Sequence, residues 1–114
     1  MSLEIKDVNY GPLWEILVPT RHEDGRPIRT RFHRVWDGKV REIANGLTVL
    51  TPVKGQWISS DREIFLEKMI PVRIMCDEAQ IEEIADMPAQ YYKQKAVMYY
   101  CISNKSIIKT YMER

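Results

Sequence analysis

The sequence predicts an α+β fold of the ferredoxin-like kind: a β-α-β-β-α-β sandwich with an extra C-terminal hairpin strand and both helices on one face of an antiparallel sheet. Two apolar stripes at helical spacing, and the strand-like runs that frame them, carry that prediction. The first stripe is Ile28, Phe32, Val35, Trp36, Val40 and Ile43, six residues that fall in one arc at about 100° per residue, which no strand can produce. Gly25-Arg26-Pro27 supplies its start, because the fixed φ of proline suits a first helical turn, and Asn45-Gly46 supplies a left-handed stop. The helix is therefore expected over 27–44, with Gly38 inside it costing about 1 kcal/mol relative to alanine.

The second stripe is Ile81, Ile84, Ala85, Pro88 and Tyr92. Asp77 can cap its first turn while Gln80 reaches back to the cap. Pro88 removes the bond to the carbonyl of Ile84, yet the arc continues to Tyr92, so the expectation is one kinked helix or two short ones in line.

Between and around these stripes lie the extended runs. Residues 13–20 set Trp14, Ile16 and Val18 against Glu15 and Leu17, and residues 47–53 set Leu47, Val49 and Thr51 against Thr48 and Leu50. Residues 63–75 place Ile64, Leu66, Ile70, Val72 and Ile74 on one side and Phe65, Glu67, Met69 and Arg73 on the other, and Pro71 predicts a bulge, bend or edge there. Ser59-Ser60-Asp61-Arg62 reads as a polar turn. The last hairpin is expected to join 96–103 to 106–111 around Asn104-Lys105.

At 114 residues the chain is one domain, set here at 13–114 after an N-terminal extension, 1–12, and it can build a core without disulfides or metal. A net charge of +1 with 29% charged residues is that of an ordinary soluble protein. With no long apolar run and no apolar stretch near the start, the expected location is cytoplasmic, away from any membrane. Cys76 and Cys101 fall on strands that the first strand should separate, so no disulfide is expected, and Cys76 reads as buried and structural. Between Arg21 and Asn45 seven basic residues face four acidic ones, while 77–95 carries five acidic and two basic, so two packed helices should complement each other. That balance argues against nucleic acid as the ligand, and Phe32 and Trp36, the aromatics among those arginines, belong to the buried stripe.

No catalytic signature is present. His33 lies at the border of the apolar arc, His22 in a charged loop, and neither has a sequence partner that would make it a base. Metal-ligand spacing is absent and the five glycines form no phosphate loop, so no cofactor and no metal are expected. Lys39 falls near the centre of the first arc, where a lysine ordinarily runs its stem over the core edge toward water.

Gly46-Leu47-Thr48-Val49-Leu50, then Gly55-Gln56-Trp57, then Glu67 resembles the pattern of a family of small bacterial and phage domains of unknown function, in which strand, helix, G-[LF]-T-V-L, G-Q-W, acidic strand, helix and last strand follow in order. The resemblance runs from Trp14 to Tyr111 and includes Tyr91-Tyr92-Lys93 through Ala96-Val97-Met98. It implies the fold, no activity, and marks Gln56, Trp57 and Glu67 as positions to test.

With strands in the order 4-1-3-2, the sheet face away from the helices carries Glu15, Leu17, Thr48, Leu50, Phe65, Glu67, Met69 and Arg73, a mixture too apolar to face water and too charged for a dry core. A homodimer closing two such faces would leave a cleft lined by Glu15, Glu67 and Arg73 with Gln56 or Trp57, while Trp57 is expected chiefly to plug the core edge. The leading function is thus a dimerising module, without assigned catalysis, that binds a small ligand or partner protein through this face. Its rivals are a small enzyme of the dimeric α+β barrel kind, using Glu67, His33 or a tyrosine for proton transfer, and a nucleic-acid or phage-associated binding protein.

Overall fold

The structure, a computed structural model, describes residues 2–22, 24–92, 94 and 96–114, with the side chain of Tyr91 outside that description. Glu23, Lys93 and Lys95, which entered the charge balance and the family resemblance, therefore lie outside the described residues. Seven elements follow in order: β1 (Leu3–Pro19), α1 (Thr30–Ala44), β2 (Thr48–Val49), β3 (Val53–Ile58), β4 (Ile64–Met75), α2 (Glu78–Tyr91) and β5 (Tyr99–Glu113). The main sheet runs β2-β4-β1-β5, with β3 also paired to β4, and every pairing is antiparallel. This is the ferredoxin-like arrangement the stripes predict.

The helices form where the spacing places them. α1 stops at Asn45, whose φ of 71° supplies the left-handed turn. It starts three residues later than Pro27, because Pro27 bridges to Arg21 and Ile28 donates its amide to the carbonyl of Thr20, which holds that segment extended. Ile28 is still buried, but Val35 is half exposed, so the inward arc of α1 is narrower than the stripe. In α2, Asp77 and Gln80 form the reciprocal cap, at 2.8 and 2.9 Å, and the helix passes through Pro88 as one element. Asp77→Ala is expected to lower stability by about 1 kcal/mol in urea titration, as loss of a cap does.

The core lies between this pair and one sheet face: Ile16, Val18, Val72 and Ile74 from the strands meet Trp36, Val40, Ile81, Ile84 and Tyr92. The helices meet through Trp36 Nε1 donating to the carbonyl of Ile84 at 3.4 Å and Gln80 Nε2 donating to that of Ile43 at 3.0 Å.

Three boundaries differ from expectation. Residues 3–12 are not an extension: β1 crosses the proposed 12/13 boundary unbroken, because β5 pairs with it from Leu3 to Ile16. β5 likewise passes through Asn104-Lys105 without a hairpin turn, since long β1 offers a continuous template and the surplus β5 residues go into register shifts near Gly11–Trp14. The additional strand is instead β3, which hairpins with β4. Pro71 is tolerated within β4 because its carbonyl accepts from Leu50 N at 2.9 Å, so its ring nitrogen faces the gap between β2 and β3, where no ladder bond needs an amide.

Two ribbons consequently project beyond the packed layers, one from β1 and β5 and one from β3 and β4. The molecule measures 60 × 29 × 24 Å, with a radius of gyration of 16.8 Å, against about 13 Å for a compact chain of this length. No helix among the described residues is long and apolar enough to cross a membrane.

Candidate functional site

Register places one polar row across the open face of the sheet. Thr48 on β2 lies opposite Arg73 on β4, Arg73 opposite Glu15 on β1, and Glu15 opposite Tyr100 on β5. Glu15 is 8% exposed, the one buried charged residue among those described. Arg73 Nε donates to Glu15 Oε1 at 3.0 Å, and the Tyr100 hydroxyl donates to Glu15 Oε2. Both carboxylate oxygens are thus engaged, as a buried carboxylate requires. The hydrogen bond to Glu15 is the main reason the Tyr100 phenol is pushed up from its ordinary pKa, so it stays protonated.

This arrangement leaves binding capacity outward. Arg73 spends Nε on Glu15, and among the described residues its two terminal nitrogens have no protein acceptor, while its side chain is 45% exposed. A guanidinium presented in this way suits a carboxylate or phosphate. Glu15 acts mainly to fix the orientation of Arg73 and Tyr100.

The sequence-predicted site residues do not all converge. Glu15 and Arg73 come together as expected, whereas Glu67 lies on the same face six residues along β4, about 20 Å away. Trp57 also points to the open face, stacked on Phe65 with ring centroids 4.6 Å apart, and at 45% exposure it does not plug the core. Gln56, its chain neighbour, pairs with Leu66 and so faces the helix side of the sheet, away from Glu15. The site residue that sequence reasoning missed is Tyr100. Its only signal was alternation in the last strand, and alternation gives a side but not a partner.

A second polar group lies on the helix side. His33 and Asp37, one turn apart on α1, line a cavity of about 50 Å³ with Val18, Trp36, Val49, Ile70 and Val72, too small for a metabolite. The fully buried Tyr92 packs against His33 at 5.7 Å, and its hydroxyl has no hydrogen-bond partner among the described residues. Burial lowers the His33 pKa and raises those of Asp37 and Tyr92. A histidine held neutral in the fold contributes stability above its unfolded pKa of about 6.5, lost as pH falls through that value toward the folded one. The melting temperature is therefore expected to drop between about pH 7.5 and about pH 5.5, and a His33→Gln variant is expected to flatten that slope; an unchanged slope contradicts the assignment. Asp37 acts in the opposite sense, since its stabilising neutral form is lost as pH rises through its raised folded pKa.

Both cysteines are free. Burial, with the Asp77 carboxylate beside it, pushes the Cys76 thiol up to about 11, which holds it as an unreactive thiol. No group of three or more metal-ligating side chains occurs among the described residues.

No family model matches the chain, and no curated protein matches it. Among solved structures the chain is similar to a phage SAM lyase in complex with S-methyl-5'-thioadenosine, at 10% identity and a TM-score of 0.64, covering 88% of this chain and 90% of that one. It is also similar to CutA from Synechococcus elongatus, at 12% identity and a TM-score of 0.53, covering 92% of this chain and 85% of the other. At these identities the likeness is one of fold.

Proposed function

We propose that this protein is a self-associating module that holds a small ligand bearing an anionic group on its open sheet face, with Arg73 as the anchor, Tyr100 as a second polar contact and Glu15 as the residue that orients both. The observation that carries this reading is the buried Glu15 between Arg73 and Tyr100 on a face no helix covers, with the terminal nitrogens of Arg73 left without a protein acceptor. A charge held at that burial costs stability unless it serves a structure or a ligand, and here it presents a guanidinium outward. Self-association is supported by the large apolar residues exposed on the two projecting ribbons, Leu3, Ile5 and Tyr10 on one and Ile58, Ile64 and Leu66 on the other.

The fold neighbour in complex with S-methyl-5'-thioadenosine supplies the first probes. Titration calorimetry with S-adenosylmethionine, which carries a carboxylate, is expected to give binding that weakens at least about tenfold in Arg73→Gln, with S-methyl-5'-thioadenosine weaker than the full molecule. Equal affinity for Arg73→Gln and the unaltered chain sinks Arg73 as the anchor. Light scattering is expected to give a whole multiple, two or more, of the 13.5 kDa chain mass, and a strict monomer at micromolar concentration sinks self-association.

A second reading, an enzyme of the dimeric α+β barrel kind, has one observation in its favour: the fold neighbour in complex with S-methyl-5'-thioadenosine is a SAM lyase. Under that reading, incubation with S-adenosylmethionine breaks the bond between the sulfonium sulfur and the aminobutyrate carbon, the substrate's own carboxylate taking that carbon to give a lactone and neutral S-methyl-5'-thioadenosine, and Tyr100→Phe, which removes a hydrogen bond that orients Glu15, slows the release. Binding without turnover leaves the binding module.

A further inference from the structure

Arginines from the segment between β1 and α1 meet in one cleft at the start of α1. It has a volume of about 630 Å³ and is lined by His22, Arg26, Pro27, Arg29, Arg31 and Phe32. That volume falls within the range of roughly 300–1,000 Å³ typical of metabolite sites. The frame around it is fixed by local bonds. Arg21 bridges to Pro27, His22 N donates to the carbonyl of Arg26 at 2.7 Å, and Gly25, at a φ of 89°, donates to the carbonyl of His22 at 2.9 Å. Gln94 Nε2 donates to the carbonyl of Arg21 at 2.8 Å. Phe32 packs against the core from the first turn of α1, and the His22 ring meets it edge-on at 6.3 Å.

The cations held in this frame are not all spent on protein partners. Arg26 gives Nε and its backbone amide to Asp24, at 2.7 and 3.1 Å, while among the described residues Arg29 and Arg31 have no carboxylate partner. The Arg31 guanidinium lies over the Phe32 ring, its carbon 5.1 Å from the centroid. A guanidinium stacked on a ring uses its face there and keeps its in-plane N–H groups for an acceptor. With Asp24 set against Arg26, the described lining residues keep two uncompensated positive charges, on Arg29 and Arg31. The end of α1 that opens here has no acidic residue in its first turn, and its dipole adds to the same field.

The geometry points to a binding site for a phosphorylated small molecule, its phosphate held between Arg29 and Arg31 and the rest of it lying against Pro27 and Phe32. A phosphate monoester carries about −1.5 to −2 charges at neutral pH and three acceptor oxygens, which matches two arginines, whereas a carboxylate is satisfied by one. The cleft is much larger than a phosphate, so the ligand is an organic ester, and the exposed Pro27 and half-buried Phe32 offer apolar contact to its organic part. A nucleic-acid strand fits less well, because its spaced phosphates call for a basic stripe and these arginines converge on one concave place. Arg73 and Glu15 lie on the sheet face that no helix covers, so the two sites can be altered one at a time.

Titration of the isotope-labelled full chain with AMP, followed through its backbone amide resonances, tests the site. The largest shifts are expected at Arg29, Thr30, Arg31 and Phe32, with none there for adenosine, which lacks the phosphate. Arg29→Gln combined with Arg31→Gln is expected to weaken AMP at least about tenfold, and Arg73→Gln to leave its affinity unchanged. Both arginines are exposed, so the double variant should keep its melting temperature; Arg31→Gln alone, expected to weaken AMP several-fold, serves if it does not. Glycerol phosphate separates the two sources of such an ester: shifts at these amides with either compound support the site, and tighter binding of AMP names a nucleotide. No shift with either compound at millimolar concentration, shifts centred on Arg73, equal binding of adenosine, or an unchanged affinity in the arginine variants overturns it. Binding of a single-stranded oligonucleotide with neither small ester also overturns it, in favour of a nucleic-acid surface. Loss of AMP binding in Arg73→Gln but not in the arginine pair would assign the anion to the open face alone.

Discussion

Trp36→Ala is expected to lower the unfolding free energy by about 3–5 kcal/mol, the range for truncating a large buried aromatic. Trp36 is 2% exposed and sits where α1, α2 and the sheet meet, packed with Val40, Ile84 and Val72 in one cluster. Its indole nitrogen also donates to the carbonyl of Ile84 across the helix interface, so truncation opens a cavity and removes a link between the two helices. The cavity next to it, lined by His33 and Asp37, already marks imperfect packing at this place, which limits how far the neighbours can close over the void. Urea titration at fixed protein concentration measures the loss, and a change below about 1 kcal/mol contradicts the packing described here.

Tyr92→Phe is expected to act in the opposite direction, raising stability by about 1–3 kcal/mol. The ring of Tyr92 is fully buried between α1 and the end of α2, so phenylalanine keeps its packing against His33 and His22. Its hydroxyl has no hydrogen-bond partner among the described residues, and a buried polar group without one forfeits its hydration for nothing in return. Removing one oxygen atom therefore removes a penalty while leaving a void smaller than a methyl group. The same titration decides it, and a destabilised Tyr92→Phe reveals a partner for the hydroxyl.

Local periodicity made much of the fold legible in the sequence. The stripe from Ile28 to Ile43 and the stripe from Ile81 to Tyr92 define two helices because a helix has to bury one arc, whatever it packs against. The Asp77–Gln80 cap and the Asn45 stop are chemistry between near neighbours and read directly. The two sides of β4 were legible for the same reason, since alternate residues point to opposite faces.

What only the tertiary structure decided is set by pairing between distant segments. Alternation put Glu15 and Arg73 on one face, but the register of β1 against β4 and β5 brought Arg73 and Tyr100 to the two oxygens of Glu15, across 58 and 85 residues of chain. Gln56 and Trp57 looked like a unit because they are adjacent, yet a strand must turn adjacent side chains to opposite faces, and the hairpin with β4 decided which face each one took. Asn104-Lys105 has turn chemistry but lies within a strand, because the ladder offered by a 17-residue β1 outweighs a local preference for a turn. Helices and strand faces follow from interactions within a few residues and are written in the sequence; the site and the uncovered ribbons follow from register, which depends on which long strands find each other.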